Sequence, residues 1–169
     1  MGPKLVVDWR YLSLEQVNSQ QGPQWKIWEQ SAETSRGLLA FHAAEAARRH
    51  GEAAFDRFHI ALLKARHEQK RNIADVETII EVAENAGLDM SRFRKDVLDR
   101  QLLSKLAEDH TFAVETLGVF GTPTLVFPEK QAIFLKMSPP PPPEECLSVF
   151  NELCGLVCNR RYIREIKRP

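Results

Sequence analysis

The sequence predicts an α/β chain in which a small sheet frames a long, all-helical insertion. Three features point there. A β-branched and aromatic run, Leu5–Leu12, suits a pleated strand. From Trp25 to Leu117 no proline occurs, and apolar residues recur at spacings of three and four, the period of an amphipathic helix. Turn and strand patterning then returns at Gly121–Phe127 and Ala132–Lys136, ahead of one last helix.

Each element follows from its residues. Ser13–Gln24 is polar, contains Gly22-Pro23 and reads as a loop. Leu38, Leu39, Phe41, Ala44 and Ala47 form the stripe of a first helix, which Gly51 separates from a second carrying Phe55, Phe58, Leu62 and Leu63. Asp75 suits the N-cap of a third that runs to Asn85 or Ala86, with Gly87 placed for its C-terminal turn. Asp89 or Ser91 begins a short fourth around Phe93, Val97 and Leu98. A fifth carries Leu102, Leu103, Leu106, Phe112, Ala113 and Leu117 and stops at Gly118. The short linker Pro128–Gln131 makes a β-hairpin of the two strands around it. Pro139–Pro143 reads as a stiff polyproline II spacer. Glu144–Val157 is a final helix, its two leading glutamates suited to the positive end of the helix dipole.

Composition narrows the function. The 169 residues carry 23 Lys+Arg against 23 Asp+Glu, so no net charge draws the chain to a nucleic-acid backbone or an anionic membrane. Hydrophobic residues make up 43%, enough for a core, but no run approaches the roughly 18 apolar residues that span a bilayer. Three cysteines, Cys146, Cys154 and Cys158, form no disulfide framework, which points to a reducing, cytoplasmic setting.

Three segments carry a family resemblance: Trp9–Asn18 (WRYLSLEQVN), Val82–Asp89 (VAENAGLD) and Gly118–Thr124 (GVFGTPT). In that order they resemble the DsbA-like thioredoxin-fold family, in particular its cytoplasmic FrnE-like branch. The first is similar to the family's second strand and following loop, the next to a helix and turn of its helical insertion, the last to its cis-proline loop. The resemblance implies a thioredoxin-like part, residues 1–24 and 118–169, around a helical insertion, 25–117. It also implies a cis bond at Thr122-Pro123, and a substrate-binding loop of Gly121, Thr122, Pro123 and Thr124. There the backbone would pair with a cysteine-containing segment. Gly121 supplies backbone freedom, and Pro123 sits where a strand begins and no ladder donor is needed.

The family's nucleophile lies on a Cys-x-x-Cys at a helix N-terminus, where the thiol is acidified. No Cys-x-x-Cys occurs in this sequence. The resemblance therefore implies that the fold's first strand and its active-site segment are missing, leaving no catalytic residue and no dithiol activity in this chain. A gap of one strand position would follow, filled by a strand from a second copy, by direct closure of the sheet, or by a separate polypeptide. Strand exchange makes a homo-oligomer the expected state.

No other constellation supplies chemistry. Cys154 and Cys158 are four apart and share a helix face with nearly parallel side chains, a poor disulfide geometry. With Cys146 they read as inert, buried apolar residues. His42, His50, His59, His67 and His110 show no metal-ligand spacing and read as solvated or structural, so neither metal nor cofactor is expected. Trp9, Trp25 and Trp28 read as core or groove residues. A non-catalytic peptide-binding or assembly module on the same scaffold is the second reading, and a relative of glutathione-dependent isomerases and transferases the third.

Overall fold

The computed structural model describes residues 5–163 and residue 166. Seven α-helices occur among them, α1 (Leu14–Val17), α2 (Leu38–Arg48), α3 (Glu52–His67), α4 (Val76–Asn85), α5 (Met90–Asp96), α6 (Leu103–Thr111) and α7 (Cys146–Asn159), with two strands, β1 (Thr124–Phe127) and β2 (Gln131–Phe134). The chain divides into two compact units: Ser13–His110, and Met1–Leu12 together with Thr111–Pro169. It passes from one to the other twice.

The helical unit follows the predicted stripes closely. α2 packs on α3, α4 and α5, and α3 packs on α4. Ala43, Ala44, Ala46 and Ala47 are all buried along α2. Small side chains there let neighbouring backbones come close. Around them Phe55, Phe58 and Phe93 are fully buried, with the Phe58 and Phe93 rings 5.8 Å apart. Gly51, at φ 99°, turns the chain from α2 into α3, a conformation that costs glycine little and other residues much. The Asp75 carboxylate accepts from the Thr78 N–H to start α4, and Asp89 accepts from Ser91 and Arg92 to start α5. Gly87, at φ 72°, closes α4. Leu63 and Leu98 are exposed rather than in their stripes.

Two departures concern this unit. Residues 25–37 form turns and two short 3-10 segments, so the first helix of the expected insertion begins at Leu38, while the expected loop Ser13–Gln24 contains the short helix α1. Side-chain hydrogen bonds compete with helix here: Gln16 bonds the Trp25 carbonyl and the Ile27 N–H, and Ser35 Oγ accepts from Gly37 and Leu38. The fifth predicted helix is likewise not uniform. It starts as a 3-10 turn, Arg100–Leu102, becomes α6, and widens into a π-helical turn over Phe112–Thr116.

In the other unit, β1 and β2 pair antiparallel, with Thr124 opposite Phe134 and Phe127 opposite Gln131. The turn between them places Glu129 and Lys130 at φ 58° and 57°, the left-handed pair that matches a hairpin's twist. β2 begins one residue earlier than expected and ends at Phe134, two residues sooner. α7 packs against both strands, with the Phe127 and Phe150 rings 6.4 Å apart. It begins at Cys146, two residues late, and contains no buried residue.

The expected strand at Leu5–Leu12 does not form: these residues have no regular secondary structure. β-propensity alone does not make a strand, and among the described residues Leu5–Leu12 pairs with neither β1 nor β2. The proline run is not a straight spacer either. A bend lies at Ser138-Pro139, whose peptide is cis, and a turn begins at Pro143.

Candidate functional site

The loop from Leu117 to Thr124 is built by the π turn that precedes it. Gly118, at φ 66°, reverses the chain, and the N–H groups of Gly118 and Val119 donate to the carbonyls of Val114 (3.2 Å) and Ala113 (2.9 Å). Val119 is buried, whereas Phe120 is 68% exposed and lies 5.3 Å, ring to ring, from Phe134. Gly121 is buried beneath the same Phe134 ring, and a Cβ added at Gly121 would stand only 3.2 Å from it. Glycine is thus favoured there by close approach, not by φ.

Thr122-Pro123 is cis, and both residues are exposed. The Pro123 carbonyl accepts from the Leu135 N–H at 3.0 Å, tying the loop to the end of β2, and Thr124 Oγ1 donates to the Gly121 carbonyl at 2.7 Å. The N–H and C=O of Thr122, by contrast, make no hydrogen bond among the described residues. An exposed, unpaired peptide unit beside a strand start is the backbone equipment for capturing an extended segment. Next to it Leu117, Val119, Phe120, Thr124, Ala132 and Phe134 line a shallow pocket of about 50 Å³ with no charged wall. The sequence signalled Gly121–Thr124 but not Phe134, because a hairpin aromatic becomes a loop support only through register: pairing with Thr124 puts both side chains on one face.

The cysteines lie apart from core chemistry. All three are free; Cys146 is exposed, its Sγ donating to the Pro142 carbonyl at 3.4 Å, and Cys154 and Cys158 are half-buried. Their expected burial is therefore corrected: among the described residues α7 packs on the two-stranded hairpin and buries none of its own residues fully. Among the described residues no three His, Cys, Asp or Glu side chains are grouped to hold a metal. No helix among the described residues is long and apolar enough to cross a membrane.

The histidines belong to the helical unit. Burial holds the His42 imidazole below its usual range, with the Arg100 charge acting the same way; burial also lowers His59 and His110. Trp9, Trp25 and Trp28 are all half-buried, Trp28 leaning on His110 at 5.4 Å.

A glycine-backed cis-proline loop leading into an antiparallel hairpin under a terminal helix defines a thioredoxin-type scaffold. A family model described as Thioredoxin matches residues 4–133, and the chain belongs to that family. It is also similar to the ClpXP adapter protein SpxH of Bacillus subtilis (strain 168), 30% identical over 123 residues that cover 73% of this chain. The match covers 40% of SpxH, so the chain aligns with well under half of that relative.

Proposed function

We propose that this chain is a protein-binding module of DsbA-like, oxidoreductase-type ancestry. Its Gly121–Thr124 loop holds an extended, cysteine-containing segment, and its own residues supply no dithiol chemistry. The observation that carries this reading is the exposed Thr122 peptide unit, unpaired and rigidly backed by Gly121, Pro123 and Phe134. A bound segment would bond the Thr122 N–H and C=O in β fashion, and an uncharged side chain would enter the adjoining pocket. The absence of any Cys-x-x-Cys from the sequence supports the non-redox half of the proposal. The name of SpxH, an adapter, favours binding over turnover as well.

The same reading assigns residues 1–24 and 118–169 to the thioredoxin-like part and 25–117 to a helical insertion within it, in the manner of the FrnE-like branch. It places the chain in a reducing cytoplasm. It also makes the chain a homo-oligomer by strand exchange, since both hairpin strands keep an edge without a partner strand among the described residues.

The decisive experiment measures binding of an extended cysteine-containing peptide by fluorescence anisotropy, beside an insulin-reduction assay. Binding that Pro123→Ala abolishes, with no reductase turnover, is the expected result. Turnover lost on mutating Cys146, Cys154 and Cys158 to serine would replace the binding reading with an enzymatic one. Sedimentation of a monodisperse monomer at micromolar concentration would remove the strand-exchange part alone.

A further inference from the structure

The two ends of the helical unit meet at one buried hydrogen bond. Ser13, its first residue, donates its N–H to His110 Nδ1, in its last, at 3.3 Å across 97 positions of chain. Both residues are buried, Ser13 to 2% and His110 to 6% exposure. Ser13 is committed on all its polar groups: Oγ accepts from the Gln16 N–H at 3.2 Å and its carbonyl from the Val17 N–H at 3.1 Å, which together start α1. The bond to His110 joins this start to the far end of the unit.

An Nδ1 that accepts carries no proton, so His110 is the neutral tautomer with its proton on Nε2. Protonation converts Nδ1 from acceptor to donor. Two N–H groups would then face each other in a buried place, and both would lose their partner. The surroundings set where this happens. Burial and the positive charge of Lys26 hold the His110 imidazole below its ordinary range. The Trp28 ring stands 5.4 Å away, and on the same helix the neighbouring Asp109 is ion-paired with Lys105 at 2.7 Å.

We propose that Ser13 and His110 form a proton-sensitive clasp that closes the helical unit in the neutral range and opens in mild acid. Opening releases the Ser13 N–H from the end of α6, while Gln16 of α1 keeps its bonds to Trp25 and Ile27 and the buried α2–α5 core keeps its packing. The device is independent of the peptide-binding reading.

Amide hydrogen exchange on the full chain tests it, with Ser13 compared against Ala44 in α2. From pH 7.5 to pH 5, protection of Ser13, relative to an unstructured peptide, should fall at least about tenfold more than that of Ala44. In His110→Asn, whose amide oxygen can accept from Ser13 without titrating, the extra loss should vanish. Nitrogen shifts of His110 in the unmutated protein give a second readout that needs no variant: an unprotonated Nδ1 at pH 7.5 is expected. Equal loss at Ser13 and Ala44, an extra Ser13 loss that persists in His110→Asn, or a protonated Nδ1 at pH 7.5 would each overturn the clasp.

Discussion

The two units of this molecule bury apolar side chains to very different degrees. In Ser13–His110 three phenylalanines, Leu38, Ile79 and Leu106 are almost completely withdrawn from water. Among the described residues of the other unit the buried apolar ones are Tyr11 and Val119, while Val126, Phe134, Leu147 and Phe120 are exposed. One region is a finished core; the other is a hairpin and a helix whose apolar faces are only half used. A two-stranded sheet alone is marginal in water. The loop assigned to binding sits in this second region, where backbone groups are still available to an incoming segment.

Truncating the core should give the largest contrast. Phe58→Ala should cost about 3–5 kcal/mol and unfold the helical unit at much lower denaturant, whereas Phe127→Ala, in the hairpin, should cost about 1 kcal/mol. Comparable losses, read from urea midpoints, would mean the two regions are not so different. A mutation-free version of the same comparison uses hydrogen exchange: amides of α2 and α3 should outlast those of α7 by about a hundredfold.

Acid should also act on one unit. All five histidines lie between Ser13 and His110. His42, His59 and His110 are held below the ordinary 6.5, so the unfolded chain binds protons before the folded one does. Their stabilisation is complete above 6.5 and is lost as pH falls through 6.5 toward the lower folded values, by up to about 1.4 kcal/mol per pH unit for each proton taken up. Thermal unfolding between pH 7.5 and 5.5 measures this, and a flat profile would contradict the buried, neutral state of these rings.

The smallest effects belong to the hairpin. Gly121→Ala presses a Cβ on the Phe134 ring and should weaken peptide binding while lowering stability by less than about 1 kcal/mol. Lys130→Gly relieves a left-handed residue in the turn and should raise stability by about 0.5–1 kcal/mol. If glycine there destabilises instead, the turn residue contributes through its contact with Phe112, 5.9 Å from the ammonium to the ring.

Much of this architecture is legible in the residues. Helix stripes at Leu38–Ala47 and Phe55–Leu62, the caps at Asp75 and Asp89, the stops at Gly87 and Gly118, and the turn-to-strand signal at Gly121–Phe127 depend on local period and backbone chemistry. Leu5–Leu12 failed as a strand, and the α7 cysteines failed as core, because both depend on what stands alongside. A strand needs a bonding edge and burial needs a covering layer, and neither is written in a local pattern.

The sequence by itself therefore determined the helices, the hairpin and the proline loop, since each is decided by interactions within a few residues. Tertiary structure alone decided that Phe134 backs Gly121, that His110 clasps Ser13, and that one unit is sealed while the other stays open. Those outcomes join positions from 13 to 97 residues apart, and only the folded chain brings such groups within reach of one another.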